Sequence, residues 1–83
     1  MLKVMMGNIK KVEMQTTKDS KLMAIITIDS TEIYIFPDLY FKCHTYLVKG
    51  NLVVVETDYS IDKHSYIAKS IRHIVNHSDI DSF

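Results

Sequence analysis

The sequence predicts an all-β domain: a small five-stranded Greek-key barrel with one short helix between strands 3 and 4. Two observations predict it. The run TKDSKLMAIITIDSTEIYIFPDLY, residues 17–40, reads as two strands folded back on each other, and Pro37 breaks the second into a short helix. Two further strand-like stretches follow, Asn51–Asp58 and Ser65–Ile74. The order strand, strand, strand, helix, strand, strand within about 70 residues is the layout of barrels of the oligonucleotide/oligosaccharide-binding (OB) kind.

The first strand is expected over Ile9–Gln15, where Ile9, Lys11 and Glu13 oppose Lys10, Val12 and Met14 in a mixed alternation. Gly7 just before it allows the bend that a barrel strand needs at a corner. Thr16–Ser20 is a polar turn, which Asp19 and Ser20 can close through side-chain-to-backbone bonds. Leu22–Ile28 is nearly all apolar and β-branched, as a strand covered on both faces should be. Asp29-Ser30 makes a tight turn into the third strand, Glu32–Phe36, with Ile33 and Ile35 inward and Tyr34 outward.

Pro37 suits the first turn of a helix, where its missing N–H is not needed, and Asp38 suits the positive end of the helix dipole. Tyr40, Cys43 and Leu47 fall at helical spacing and form the stripe expected to plug one end of the barrel, with Tyr46 also packing from this helix. Gly50 ends the connection, and LVVVET supplies the fourth strand. Tyr59–Ser65 is expected as a polar loop, and Tyr66–Ala68 with SIRHI as the last strand. The chain, 1–83, reads as one domain with its core at about 7–74 and residues 75–83 as a frayed tail.

Composition narrows the function classes. Apolar residues make up 47% and charged ones 24%, which is unlike a disordered segment. No apolar stretch approaches the roughly 18–20 residues of a membrane span, and the N-terminus lacks a signal-peptide pattern. The lone Cys43 cannot form an internal disulfide, which fits a reducing, cytoplasmic setting, and it reads as a buried helix residue. Ten basic and ten acidic residues cancel, which argues against strong non-specific nucleic-acid binding. Without Asp79 and Asp81 the balance is ten against eight.

His73 and His77 are four apart, but no third ligand has a compelling spacing, so no metal site is expected. Cys43 and His44 are adjacent and on a helix point about 100° apart, which rules out a nucleophile–base pair. Only Gly7 and Gly50 are glycines, too few for a P-loop or dinucleotide fingerprint. Neither a cofactor nor catalysis is expected from this segment.

The ordered set Gly7-Asn8-Ile9, Thr17-Lys18, Met23-Ala24, Glu32 through Phe36-Pro37, and Tyr40 resembles the nucleic-acid-binding OB domain of bacterial DNA polymerase III alpha subunits. The resemblance covers roughly residues 7–74. OB domains of class II aminoacyl-tRNA synthetases share the fold and part of the pattern. Three departures stand out. Ser20 and the Asp29-Ser30-Thr31 connection lack the family's glycines, and Glu56, with Asp58 close behind, replaces a glycine after the fourth-strand valines. Carboxylates there repel a phosphate backbone if they face the groove. The resemblance implies a fragment of a larger DNA-directed DNA polymerase that contacts single-stranded template. It would lie near the clamp- and clamp-loader-binding regions, with the polymerising carboxylates elsewhere.

An OB barrel binds single strands across strands 2 and 3, flanked by the first-to-second and fourth-to-fifth loops. Binding needs aromatic platforms for bases and cations for phosphates. Tyr34 is the leading platform, with Tyr59 and Tyr66 beside the last loop. Lys18 and Lys21 in the first loop, Lys63 and His64 in the last, and Arg72 are the candidate phosphate contacts. Of Lys10 and Lys11, only one can face the groove. The leading expectation is a strand-binding module whose affinity falls with salt. The alternatives are an anticodon-binding-type OB domain, or a structural or protein-docking barrel that touches DNA little. The docking barrel predicts an exposed apolar patch without a coherent basic stripe.

Overall fold

The apolar run around Ile26 forms β2 (Leu22–Ile28), and its hairpin with β3 (Thr31–Ile35) turns on the two residues Asp29 and Ser30. Asp29 adopts the left-handed φ of 55° that such tight hairpin turns demand, without the help of a glycine. Ser20 does the same in the preceding turn, at φ 64°. The computed structural model describes residues 2–74. Its remaining elements are β1 (Leu2–Thr16), the helix α1 (Pro37–Cys43), β4 (Leu52–Ser60) and β5 (Ser65–His73). The strands close into a barrel in the order β1-β2-β3-β5-β4, with β3 and β5 parallel and the other pairs antiparallel. This is the predicted five-stranded barrel with its helix between β3 and β4.

β1 begins at Leu2 rather than at Ile9, and this extension closes the barrel. Residues Leu2–Asn8 pair with β4, whereas Ile9–Thr16 pair with β2, and the register shifts between Ile9 and Lys11. A bulge bends a strand and sharpens its twist, so one chain segment serves both walls. The first half escaped the alternation test because its outward residues are apolar too. Leu2, Val4 and Met6 are 58%, 61% and 65% exposed. Gly7 lies inside β1, and its φ is not positive. What it provides is space: a Cβ there would lie 2.6 Å from Cγ2 of Ile28.

Ile9, Ile26, Ile33, Ile35, Val53 and Val55 fill the barrel. Each such branched side chain contributes about 1.5–3 kcal/mol by leaving water. Buried Thr57 satisfies its hydroxyl by donating to the Lys3 carbonyl at 2.8 Å, which ties β4 to β1. α1 caps one end, with Pro37 in its first turn. The helix expected to reach Leu47 stops at Cys43 and tightens into a 3₁₀ turn, His44–Tyr46, where the Leu47 N–H donates to the His44 carbonyl at 3.2 Å. Cys43 and Leu47 are buried and Tyr40 packs partly buried against the core. Tyr46, expected to pack, is exposed and leans on the His73 ring at 5.8 Å. β4 continues through Tyr59 and Ser60, so the last loop contracts to residues 61–64. The expected tail at 75–83, with His77, lies outside the described residues. Among the described residues no helix is long and apolar enough to cross a membrane.

Candidate functional site

Strand register builds a grid on the outer face of the β1–β2–β3 wall. One row is Lys11, Thr27 and Glu32; the next is Glu13, Ile25 and Tyr34. Gln15 and Met23 form the third, and Phe36 extends β3 toward it with an extended backbone (φ −73°, ψ 164°). Met23 and Ile25 are buried although they point away from the barrel interior, so this face carries an apolar floor. That is what the unbroken apolar run of β2 encodes: both of its faces are covered.

At one end of this face opens a cleft of about 520 Å³, lined by Lys11, Thr27, Glu32, Tyr34, Tyr59, His64 and Tyr66, with serines and Thr31 at its rim. Tyr59 and Tyr66 face each other across β4 and β5 and meet edge to face, with ring centroids 5.0 Å apart. The longer β4 makes this pair, since it carries Tyr59 into the ladder and out of the loop. His64 enters the cleft from the tight 61–64 turn at a left-handed φ of 52°. That turn is held by the Ser65 hydroxyl, which donates to the Lys63 carbonyl at 2.9 Å. The same turn swings Lys63 over Phe36, with Nζ 4.6 Å from the ring centroid, a cation–π geometry.

Of the residues singled out in the sequence, Tyr34, Tyr59, Tyr66 and His64 meet in one cleft, and Lys63 stands beside it over Phe36. Lys18 lies exposed in the first turn, and Lys21 lines a different pocket against α1. Arg72 is paired with Val54 in the row that contains Met6, and it does not line the cleft. Phe36 was not recognised as a site residue. Its signal was present, two positions after Tyr34 on the same strand face. Lys11 rather than Lys10 reaches the cleft, because the bulge falls between Ile9 and Lys11.

The electrostatics of the cleft are balanced. Lys11 pairs with Glu13 at 2.6 Å. The hydrogen bond and charge of Glu13, with a smaller contribution from Glu32, hold its ammonium above the ordinary lysine value. Neither Glu56 nor Asp58 lines the cleft. Glu56 accepts a 2.6 Å hydrogen bond from the Ser70 hydroxyl on β5, and Asp58 borders a neighbouring hollow with Lys69. The acidic member of the cleft is Glu32.

No protein-family model matches the chain, and no curated protein matches it. Solved structures do. One crystal form of the mitochondrial single-stranded DNA-binding protein of S. cerevisiae superposes with a TM-score of 0.72 at 22% identity, covering 92% of this chain and 96% of that one. A second form of that protein gives 0.66 at 24% identity, covering 92% and 97%. Neither structure is of a DNA polymerase. At such identity the likeness is one of architecture, and it joins the strand order and the helix position in establishing an OB-type barrel.

Proposed function

We propose that this chain binds single-stranded DNA across the outer face of β2 and β3. The observation that carries the reading is the convergence of Tyr34, Tyr59 and Tyr66 in one cleft at the end of that face, where Tyr66 also packs against the core, with Lys63 over Phe36 beside it. Aromatic faces stack unpaired bases, and the cross-strand neighbour of Tyr34 on this face is the buried, apolar Ile25. The similar yeast structures are of proteins named for single-stranded DNA binding, which supports the same reading. With Lys11 engaged by Glu13, the phosphate attraction is weak, and affinity in the micromolar range follows. The placement within DNA polymerase III alpha rests on the sequence motifs alone.

Fluorescence anisotropy of a labelled oligothymidylate tests this. Wild-type protein should bind saturably, with affinity falling as salt rises. Tyr34→Ala should weaken binding by about 1–3 kcal/mol. No saturation at low salt and high protein concentration, or full affinity in Tyr34→Ala, overturns the reading.

One observation favours the docking alternative: Leu2, Val4 and Met6 form an exposed apolar row along β1, beside half-buried Val54. A barrel that docks a protein through this row would leave the titration flat while Val4→Glu abolished the protein contact.

A further inference from the structure

A second pocket, of about 660 Å³, lies between the start of β2 and α1. Leu22, Pro37, Tyr40 and Phe41 line it together with Lys21, Lys42 and Asp38. Phe41 is 80% exposed and Leu22 52% exposed. An aromatic ring on a short helix, directed to solvent rather than to the barrel it caps, adds nothing to the core. Nor is it a lone surface residue, since it forms one wall of the pocket.

The pocket and the tyrosine cleft sit at opposite ends of the same strand pair. The cleft takes Thr27, Thr31, Glu32 and Tyr34; the pocket takes Leu22 and Pro37, which alternate to the face opposite Met23 and Phe36 and lie at the strand ends beside α1. A seven-residue β2 spans about 20 Å, more than one nucleotide can cover. Between the two ends lies Phe36 under Lys63. Aromatic rings thus stand at both ends of the strand pair, Tyr34, Tyr59 and Tyr66 at one and Phe41 at the other, and a strand passing from Phe36 to Phe41 crosses the end of β2 beside α1.

Cations stand at both ends. In the cleft, Lys11 is paired with Glu13, and Glu32 lies close by. Lys63 and Lys3 stand over the Phe36 and Tyr66 rings, with Nζ 4.6 Å and 5.4 Å from the centroids. In the pocket, Lys21 and Lys42 make no ion pair among the described residues, and two cations stand against the single Asp38.

We propose that the pocket between β2 and α1 is a second nucleotide subsite of the same bound strand, with Phe41 stacking a base and Lys21 and Lys42 contacting the flanking phosphates. The proposal rests on the strand-binding reading and extends the bound strand from the cleft over α1.

The chain contains no tryptophan, so Phe41→Trp installs a single indole reporter at the subsite. Its emission should change on addition of an oligothymidylate of about ten nucleotides, within the range one OB fold covers. Phe41→Ala should bind that oligomer about fivefold or more weakly than wild type, with unchanged thermal unfolding because the side chain is exposed. Replacing Lys21 and Lys42 together by glutamine should flatten the slope of log K against log salt by about 1.4, the value for two single-strand phosphates. Full affinity in Phe41→Ala, or an unaltered slope in the lysine variant, overturns the subsite while Tyr34→Ala still weakens binding. Failure of wild-type protein to bind any oligomer is a different result: it removes the strand-binding reading, and the subsite with it.

Discussion

Cys43 shows how one side chain's surroundings set its chemistry. Helical spacing alone predicts it inward, and it is buried in the cap of the barrel. Burial disfavours the thiolate and pushes the thiol up to about 11 from 9.0. At pH 8 the native protein then holds about a hundredfold less thiolate than an ordinary cysteine, and the thiolate is the reactive form. Alkylation by iodoacetamide at that pH should be slow in the native protein and fast in urea; equal rates would contradict this burial. The unfolded thiol ionises from about pH 9 while the native one keeps its proton to about 11, so stability present below pH 9 is lost across that window. Phe36 teaches the converse lesson. Its strand position was legible, but its contact with Lys63 joins residues 27 positions apart and depends on how the 61–64 turn folds back.

At the scale of elements, β1 carries most of the difference between expectation and structure. The β2–β3 hairpin was legible because a seven-residue apolar run followed by a two-residue polar turn has few alternatives. The first half of β1 was not, because Leu2, Val4 and Met6 erase the alternation that marks a half-buried strand. Gly7 lies just before the point where β1 passes from β4 to β2, where a bend was expected, and it also makes room for Ile28. The neighbour it would meet is a buried β-branched side chain with little freedom to move. Gly7→Ala should therefore destabilise the barrel by about 1–3 kcal/mol through overpacking, read as a lower urea midpoint with little change in slope. An unchanged midpoint would mean that β1 and β2 separate easily at this point. Helix α1 shows the limit of periodicity as well. Tyr40, Cys43 and Leu47 share the buried side although the helix ends at Cys43, because the 3₁₀ turn still delivers Leu47 to the core.

Closure of the whole barrel decides which residues can act together. Arg72 and Tyr34 both read as strand-face residues, yet the strand order puts Arg72 in a row with Val54 and Met6 and leaves Tyr34 in the cleft. Arg72→Gln should leave oligothymidylate affinity within about twofold of wild type, whereas Tyr34→Ala weakens it. An equal loss in both variants would place the bound strand along β5 instead. Glu56 and Asp58 follow the same logic: feared as groove carboxylates, they lie outside the cleft, and Glu32 takes that place from β3.

The sequence by itself determined the order of elements, the hairpin, the Pro37 helix start and the inward set Ile33, Ile35 and Cys43. These depend on turn chemistry and periodicity within a few residues of chain. Only the tertiary structure decided that β1 serves two walls, that Tyr59 stands opposite Tyr66, that Lys63 covers Phe36, and that Lys21 belongs with α1. Each of these is a pairing between distant segments, set by register and by closure of the barrel, and local pattern carries no record of which strand lies beside which.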